Sequence, residues 1–159
     1  MKKILFTLIT VTTTLFSGFL MADESEDQGQ VSVKNPYVRE SIPGTQITSA
    51  YMQITNTTDK DYQLVGATAN ISPRIEIHEH YQENDVMKMR QVLALPLPAN
   101  GEITMKQGGF HLMIFDIVKP VKQGQKILLT LHFTDHDDIT IEVPVQGIKK
   151  QHKSGHHHH

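Results

Sequence analysis

The stretch Arg74–Leu93, RIEIHEHYQENDVMKMRQVL, decides how the rest of the chain is read. Ile75 and Ile77 fall on one face and His78 and His80 on the other, the period-two pattern of a strand with one buried face. The segment YQENDV (81–86) holds a turn-like Glu83-Asn84-Asp85, so residues 74–81 and 86–93 are predicted to form a β-hairpin. A two-residue turn at Glu83-Asn84 sets His78 opposite Met89 and His80 opposite Met87. A slip of two residues sets His80 against Met89 instead. Side chains paired directly across two strands have Cβ atoms about 4.5–5.5 Å apart, close enough to share one ion.

Outward from this hairpin the chain continues as short β-rich stretches separated by turn signals. Strands are expected near Val31–Val38, Ser49–Asn56, Tyr62–Ala69, Glu102–Met105, Phe110–Ile117, Gln125–Phe133 and Ile139–Val145. Ile42-Pro43-Gly44, Thr57-Thr58-Asp59-Lys60, Ala99-Asn100-Gly101, Gln107-Gly108-Gly109 and Lys122-Gln123-Gly124 punctuate them. Regular short strands with no long helical pattern imply an all-β fold, an antiparallel β-sandwich.

The chain has 159 residues, 38% hydrophobic and 20% charged, which suits one folded domain and excludes wholesale disorder. A formal charge of −2 leaves no electrostatic footprint for nucleic acid. There is no Cys, which removes disulfides, thiolate zinc sites, iron–sulfur clusters, Cys nucleophiles and the thiolate of a blue-copper centre. Against this ordinary background, 10 His and 7 Met are unusual.

The two ends have their own composition. Lys2 and Lys3 precede an uncharged, largely apolar run from Ile4 to Met21, and acids begin at Asp23, the pattern of a secretory signal peptide over 1–22 cut after Ala22. Without Cys there is no lipid attachment at the processing site, and the product is expected to be exported without membrane insertion. Its removal would leave 137 residues and a formal charge of −4. Residues 23–30 (DESEDQGQ) form an acidic leader, residues 31–146 the sandwich domain and residues 147–159 a flexible His-rich tail. His152, His156, His157, His158 and His159 in that tail, read as native in preference to an expression tag, are candidate metal ligands by composition, suited to Cu(II), nickel or zinc without selecting among them.

Three pairs in the domain share an i, i+2 spacing: His78-Glu79-His80, Met87-Lys88-Met89 and His111-Leu112-Met113. In a strand each pair shares one face, so His111 and Met113 lie opposite Phe110, Leu112 and Ile114. Imidazoles with thioethers make a soft-to-borderline donor set, and thioether sulfur selects Cu(I) over zinc, calcium or magnesium. Thioether has no proton to lose, so only the imidazoles compete with protons. Met52 and Met105 are expected in the core, while His80 and Met87 are auxiliary metal candidates. His132 and His136 are expected to be solvated, at a strand end and in a polar turn.

The spacing His78, ten residues, Met89, twenty-one residues, His111, one residue, Met113 resembles the H-x10-M-x21-H-x-M signature of the periplasmic copper chaperone family PCu(A)C. Pro43-Gly44, Ala50-Tyr51, Val86-Met87-Lys88-Met89-Arg90 and Gly108-Gly109-Phe110-His111-Leu112-Met113 are similar too, across roughly Val31 to Val145. The resemblance implies a cupredoxin-like (immunoglobulin-like) sandwich that binds Cu(I) through His78, Met89, His111 and Met113. It further implies a periplasmic carrier, not an enzyme, that passes copper to the CuA centre of cytochrome c oxidase subunit II, alongside a thioredoxin-like assembly factor. Two other readings compete with this one. A copper–zinc superoxide dismutase-like enzyme also contains His-x-His but needs more His ligands, an Asp and usually a disulfide. An immunoglobulin-like adhesion module would carry its His and Met residues incidentally.

Overall fold

The computed structural model describes residues 29–147, and among them every regular element is a strand. The expected signal peptide, all but the last two residues of the acidic leader and the His-rich tail after Gly147 lie outside the described residues. Ten strands follow in order: β1 (Val31–Arg39), β2 (Thr48–Asn56), β3 (Tyr62–Ala69), β4 (Arg74–Glu83), β5 (Val86–Gln91), β6 (Leu95–Leu97), β7 (Glu102–Met105), β8 (Phe110–Phe115), β9 (Lys126–Thr134) and β10 (Ile139–Gln146).

They form the two layers of a sandwich. One layer runs β5-β4-β8-β2-β1, with β7 pairing to a further part of β2, and the other runs β10-β9-β3-β6. Nearly all the pairs are antiparallel, as expected. The exception is a short parallel contact between β1 and β10, Val38 with Val145, which joins the layers into one hydrogen-bonded path. Local sequence carries no sign of this pairing, because its partners lie at opposite ends of the domain.

The core lies between the layers. Ile54, Leu64, Leu112, Ile114, Leu129 and Leu131 are fully buried. Met52 and Met105 pair across β2 and β7 and are buried there, as expected of methionines that fill the core. Each strand reaches this core through alternate residues, so the intervening ones face outward. At one end of β2 the fully buried Asn56 ties two loops together. Its amide donates to the carbonyls of Lys60 (2.7 Å) and Pro98 (2.9 Å), and its Oδ1 accepts from the Thr58 amide (2.9 Å).

Two local readings differ from expectation. The β4–β5 turn sits one residue later than predicted, at Asn84 and Asp85, whose φ values are 51° and 61°. Asn and Asp tolerate left-handed backbone far better than Glu, so the primed turn centres on them. Moving the centre by one residue shifts the pairing by two. In addition, Leu95–Leu97 forms a short strand against β3 that the sequence reading left as a connection. Its Pro96 lies at the edge of the layer, where a missing N–H is tolerated.

Candidate metal centre

Three adjacent strands build the site on the outer face of the first layer. On β8, Leu112 and Ile114 point into the core, which sends His111 and Met113 to the other side. On β4, Ile77 is buried in the core and Glu76, His78 and His80 alternate with it. The β4–β8 register sets His78 directly opposite His111 and Glu76 opposite Met113. The β4–β5 register sets His80 opposite Met89, His78 opposite Gln91 and Met87 opposite Gln82. The first-choice pairing of His78 with Met89 and His80 with Met87 is therefore corrected to the slipped one, for the turn reason given above.

Three imidazoles come together. The rings of His80 and His111 stack with centroids 4.8 Å apart, and those of His78 and His111 lie 6.0 Å apart. Although His111 belongs to the polar row of its strand, it is only 1% exposed. Tyr51 stands 6.2 Å from it on one side, itself backed by Tyr37, and His80 covers another side. Met89 is 43% exposed and Met87 56%, so the sulfur side of the hairpin faces solvent. Met113 is half-buried. The Ser49 hydroxyl donates to its sulfur at 3.9 Å, and it lines a cleft of about 110 Å³ with Arg39, Ile42 and Ile47.

The hydrogen bonds around these rings decide which nitrogens are available. His111 Nδ1–H donates to the carbonyl of Gly109 at 3.0 Å, which leaves Nε2 as the lone-pair nitrogen. His78 Nε2 lies 2.8 Å from Glu76 Oε2. The His78 hydrogen bond, together with Arg74, holds the Glu76 carboxyl below its ordinary range, so it is ionised and can only accept. The proton therefore sits on His78 Nε2, and Nδ1 carries the lone pair. That Nδ1 is buried without a partner, as is Nδ1 of His80. A buried polar atom left unpaired costs about 1–3 kcal/mol, so two on one patch leave room for a water molecule or an ion to pair with them.

Burial pushes the His111 pKa down, and the charges of His80 and His78 add to the effect, partly offset by the Gly109 carbonyl. A neutral imidazole is the form that binds a metal. Among the described residues, no three His, Cys, Asp or Glu side chains are grouped so as to hold an ion by themselves.

The remaining histidines stand elsewhere. His132 bridges Thr68 (3.1 Å) and Asp138 (2.8 Å), while His136 packs edge-on against Tyr62 and Phe133. Both make these contacts while partly exposed to solvent, and neither joins the His78–His111 group. The tail histidines lie outside the described residues. Glu76 is the residue of the patch that sequence reasoning missed. Its position two before His78 places it on the same strand face, which was the available signal.

Comparison with known proteins gives consistent results. A family model described as putative lipoprotein LpqE-like matches residues 31–145. A putative lipoprotein of Leifsonia xyli subsp. xyli is 29% identical over 117 residues, 73% of this chain and 69% of that protein. An uncharacterized protein of Rickettsia prowazekii is 28% identical over 142 residues, 84% and 78% of the two chains. Among solved structures, the copper-bound PCuAC domain from PmoF2 superposes with a TM-score of 0.63 at 23% identity, covering 76% of this chain and 95% of that one. The Cu(I) form of DR1885 from Deinococcus radiodurans gives 0.59 at 28% identity, covering 79% and 85%. The all-β, cupredoxin-like sandwich expected from the sequence is the fold these structures share.

Proposed function

The chain belongs to the LpqE-like family, and on that premise we propose that it is a copper carrier that holds Cu(I) through His78, Met89, His111 and Met113. The observation that carries this reading is the pair of buried, unpartnered imidazole nitrogens on His78 and His80, set on one sheet face with His111, Met89 and Met113. Nitrogen with thioether is a donor set for Cu(I), and neither hard cations nor zinc compete well for sulfur of this kind. The Cu(I)-bound Deinococcus radiodurans protein supports the same metal.

Each residue then has a part. His111, held by the Gly109 carbonyl, presents Nε2, and His78 presents Nδ1. Met113 closes the set from β8 and Met89 from the exposed edge strand β5. Copper is cargo here. A site with one sulfur facing solvent lets an incoming donor from an acceptor replace it stepwise. The acceptor is the CuA centre of cytochrome c oxidase subunit II, reached in the periplasm after export, with a thioredoxin-like factor assisting. His152 and His156 to His159 add nitrogen-only Cu(II) sites in the tail.

The test is the double variant Met89→Ala, Met113→Ala. It is expected to lose tight Cu(I) binding in a chelator competition while keeping the wild-type circular dichroism spectrum, because neither side chain belongs to the core. Undiminished Cu(I) affinity in the folded double variant refutes the site. X-ray absorption on Cu(I)-loaded protein, with and without residues 149–159, separates sulfur ligation in the domain from nitrogen ligation in the tail.

A further inference from the structure

We infer that Glu76 is the positioning residue of this centre: its carboxylate accepts a hydrogen bond from the Nε2–H of His78 and thereby turns Nδ1 toward the metal position, while Arg74 holds the carboxylate itself out of the coordination sphere. The inference rests on the copper reading above and adds the chain's own control over ligand orientation and metal choice.

Both carboxylate oxygens are engaged. Oε2 accepts from His78 Nε2 at 2.8 Å, and Oε1 accepts from Arg74 at 2.8 Å. Arg74 is fixed in turn, donating through Nε to Asp116 at 3.1 Å and lying 4.0 Å above the Phe115 ring. Phe115 also packs against His78, with centroids 5.8 Å apart. The ring of His78 is thus held by an ion-paired carboxylate at one edge and an aromatic wall beside it, and its remaining nitrogen is buried with no partner. A carboxylate behind a ligating imidazole fixes the tautomer and raises the basicity of the other nitrogen, and losing such a partner typically weakens metal binding 10–100-fold.

The placement of Glu76 has a second consequence. It stands opposite Met113 across β4 and β8, on the same face as the proposed ligands. A free carboxylate there would be a hard oxygen donor, suited to zinc and other hard or borderline divalent ions. With one oxygen bound to an imidazole N–H and the other to a guanidinium, its charge is already compensated and one lone pair of each oxygen is engaged, which makes it a poorer metal donor. The donor set stays nitrogen and sulfur, which keeps the site selective for Cu(I).

The experiment uses the full chain and the variants Glu76→Ala, Glu76→Gln and Arg74→Ala, with two readouts. Long-range 1H–15N spectra of the metal-free protein report the His78 tautomer without reference to copper, and chelator competition reports Cu(I) and Zn(II) affinity. In the wild type His78 is expected as a single Nε2–H tautomer. Glu76→Ala is expected to give a mixture and to lower Cu(I) affinity 10–100-fold. Glu76→Gln keeps an acceptor oxygen, so it should retain the tautomer and lose less than tenfold in affinity. Arg74→Ala is expected to raise Zn(II) affinity several-fold. A wild-type His78 protonated at Nδ1 overturns the inference, as does a folded Glu76→Ala protein with wild-type tautomer and Cu(I) affinity. Should Glu76→Ala fail to fold, the wild-type tautomer together with Glu76→Gln and Arg74→Ala decides it. A wild type that binds no Cu(I) refutes the copper reading and removes the metal-choice half of the inference, while the tautomer still reports whether Glu76 orients His78.

Discussion

The imidazoles of His80 and His111 are stacked, with centroids 4.8 Å apart and ring planes 24° from parallel. His80 is also the residue directly across from Met89. It therefore links the sulfur on the edge strand to the buried imidazole on β8. The variant His80→Phe preserves a stacking ring and removes the nitrogen. Its Cu(I) affinity is expected to fall by about tenfold, roughly 1.4 kcal/mol. His111→Phe, which removes a proposed principal ligand, should cost more than a hundredfold. Chelator competition on the two variants gives the order, and equal losses would make His80 a principal ligand too.

The pH response of the metal-free protein follows from His111. Its folded-state pKa lies below 6.5 because the ring is buried beside His80 and His78. A histidine depressed in this way is neutral in the native state, while the unfolded chain takes up the proton first. Its contribution to stability is complete above 6.5 and is lost as pH falls from there toward the folded-state value. Glu76 adds a second loss at lower pH. Its pKa is depressed below 4.5 by His78 and Arg74, so its contribution is present above 4.5 and disappears as the carboxylate is protonated. Urea midpoints should therefore drop between about pH 7.5 and pH 5.5. His111→Phe should flatten that first drop and leave the more acidic one.

Asn56 offers a test that separates stability from the site. Its side chain is fully buried and satisfies groups on Lys60, Pro98 and Thr58, at the end of β2 remote from Ser49 and Met113. Asn56→Ala orphans several of those groups and is expected to cost at least ~2 kcal/mol in chemical denaturation. The folded fraction should bind Cu(I) with unchanged affinity.

The β4–β5 turn sets which histidine meets Met89. Asp85 has a φ of 61°, a conformation glycine adopts without strain. Asp85→Gly converts the turn to Asn-Gly and is expected to stabilise the domain by up to ~1 kcal/mol without changing Cu(I) affinity. Asn84→Val, a β-branched residue at a φ of 51°, should destabilise the hairpin and lower Cu(I) affinity by displacing Met89. Cross-strand contacts between His80 and Met89 in NMR spectra report the register directly.

Much of this architecture was readable in the chain, and the exceptions have identifiable causes. Alternation around Ile77 and Leu112 placed the histidines and methionines on the face away from the core, since a strand with one aliphatic row leaves little choice. The hairpin was visible as well, but its register depended on whether Glu83 or Asp85 shares the turn with Asn84, and the tolerance of Asp for positive φ decided it. The strand Leu95–Leu97 was hidden by Pro96 and by its length of three residues. The burial of His111 was not legible, because the residues covering it, Tyr51 and His80, come from two other strands. Glu76 escaped for a similar reason. Its meaning lies in a ring orientation and a salt bridge to Arg74, neither of which a spacing pattern encodes.

Strand β5 hydrogen-bonds to β4 alone among the described strands, and all six of its residues are exposed. Bending such a ribbon outward disturbs no packed interior, whereas moving His111 would require breaking into the middle of a layer. On the proposed copper reading, unloading would begin at the Met89 arm, and the two imidazoles would keep their grip until a replacement donor arrived.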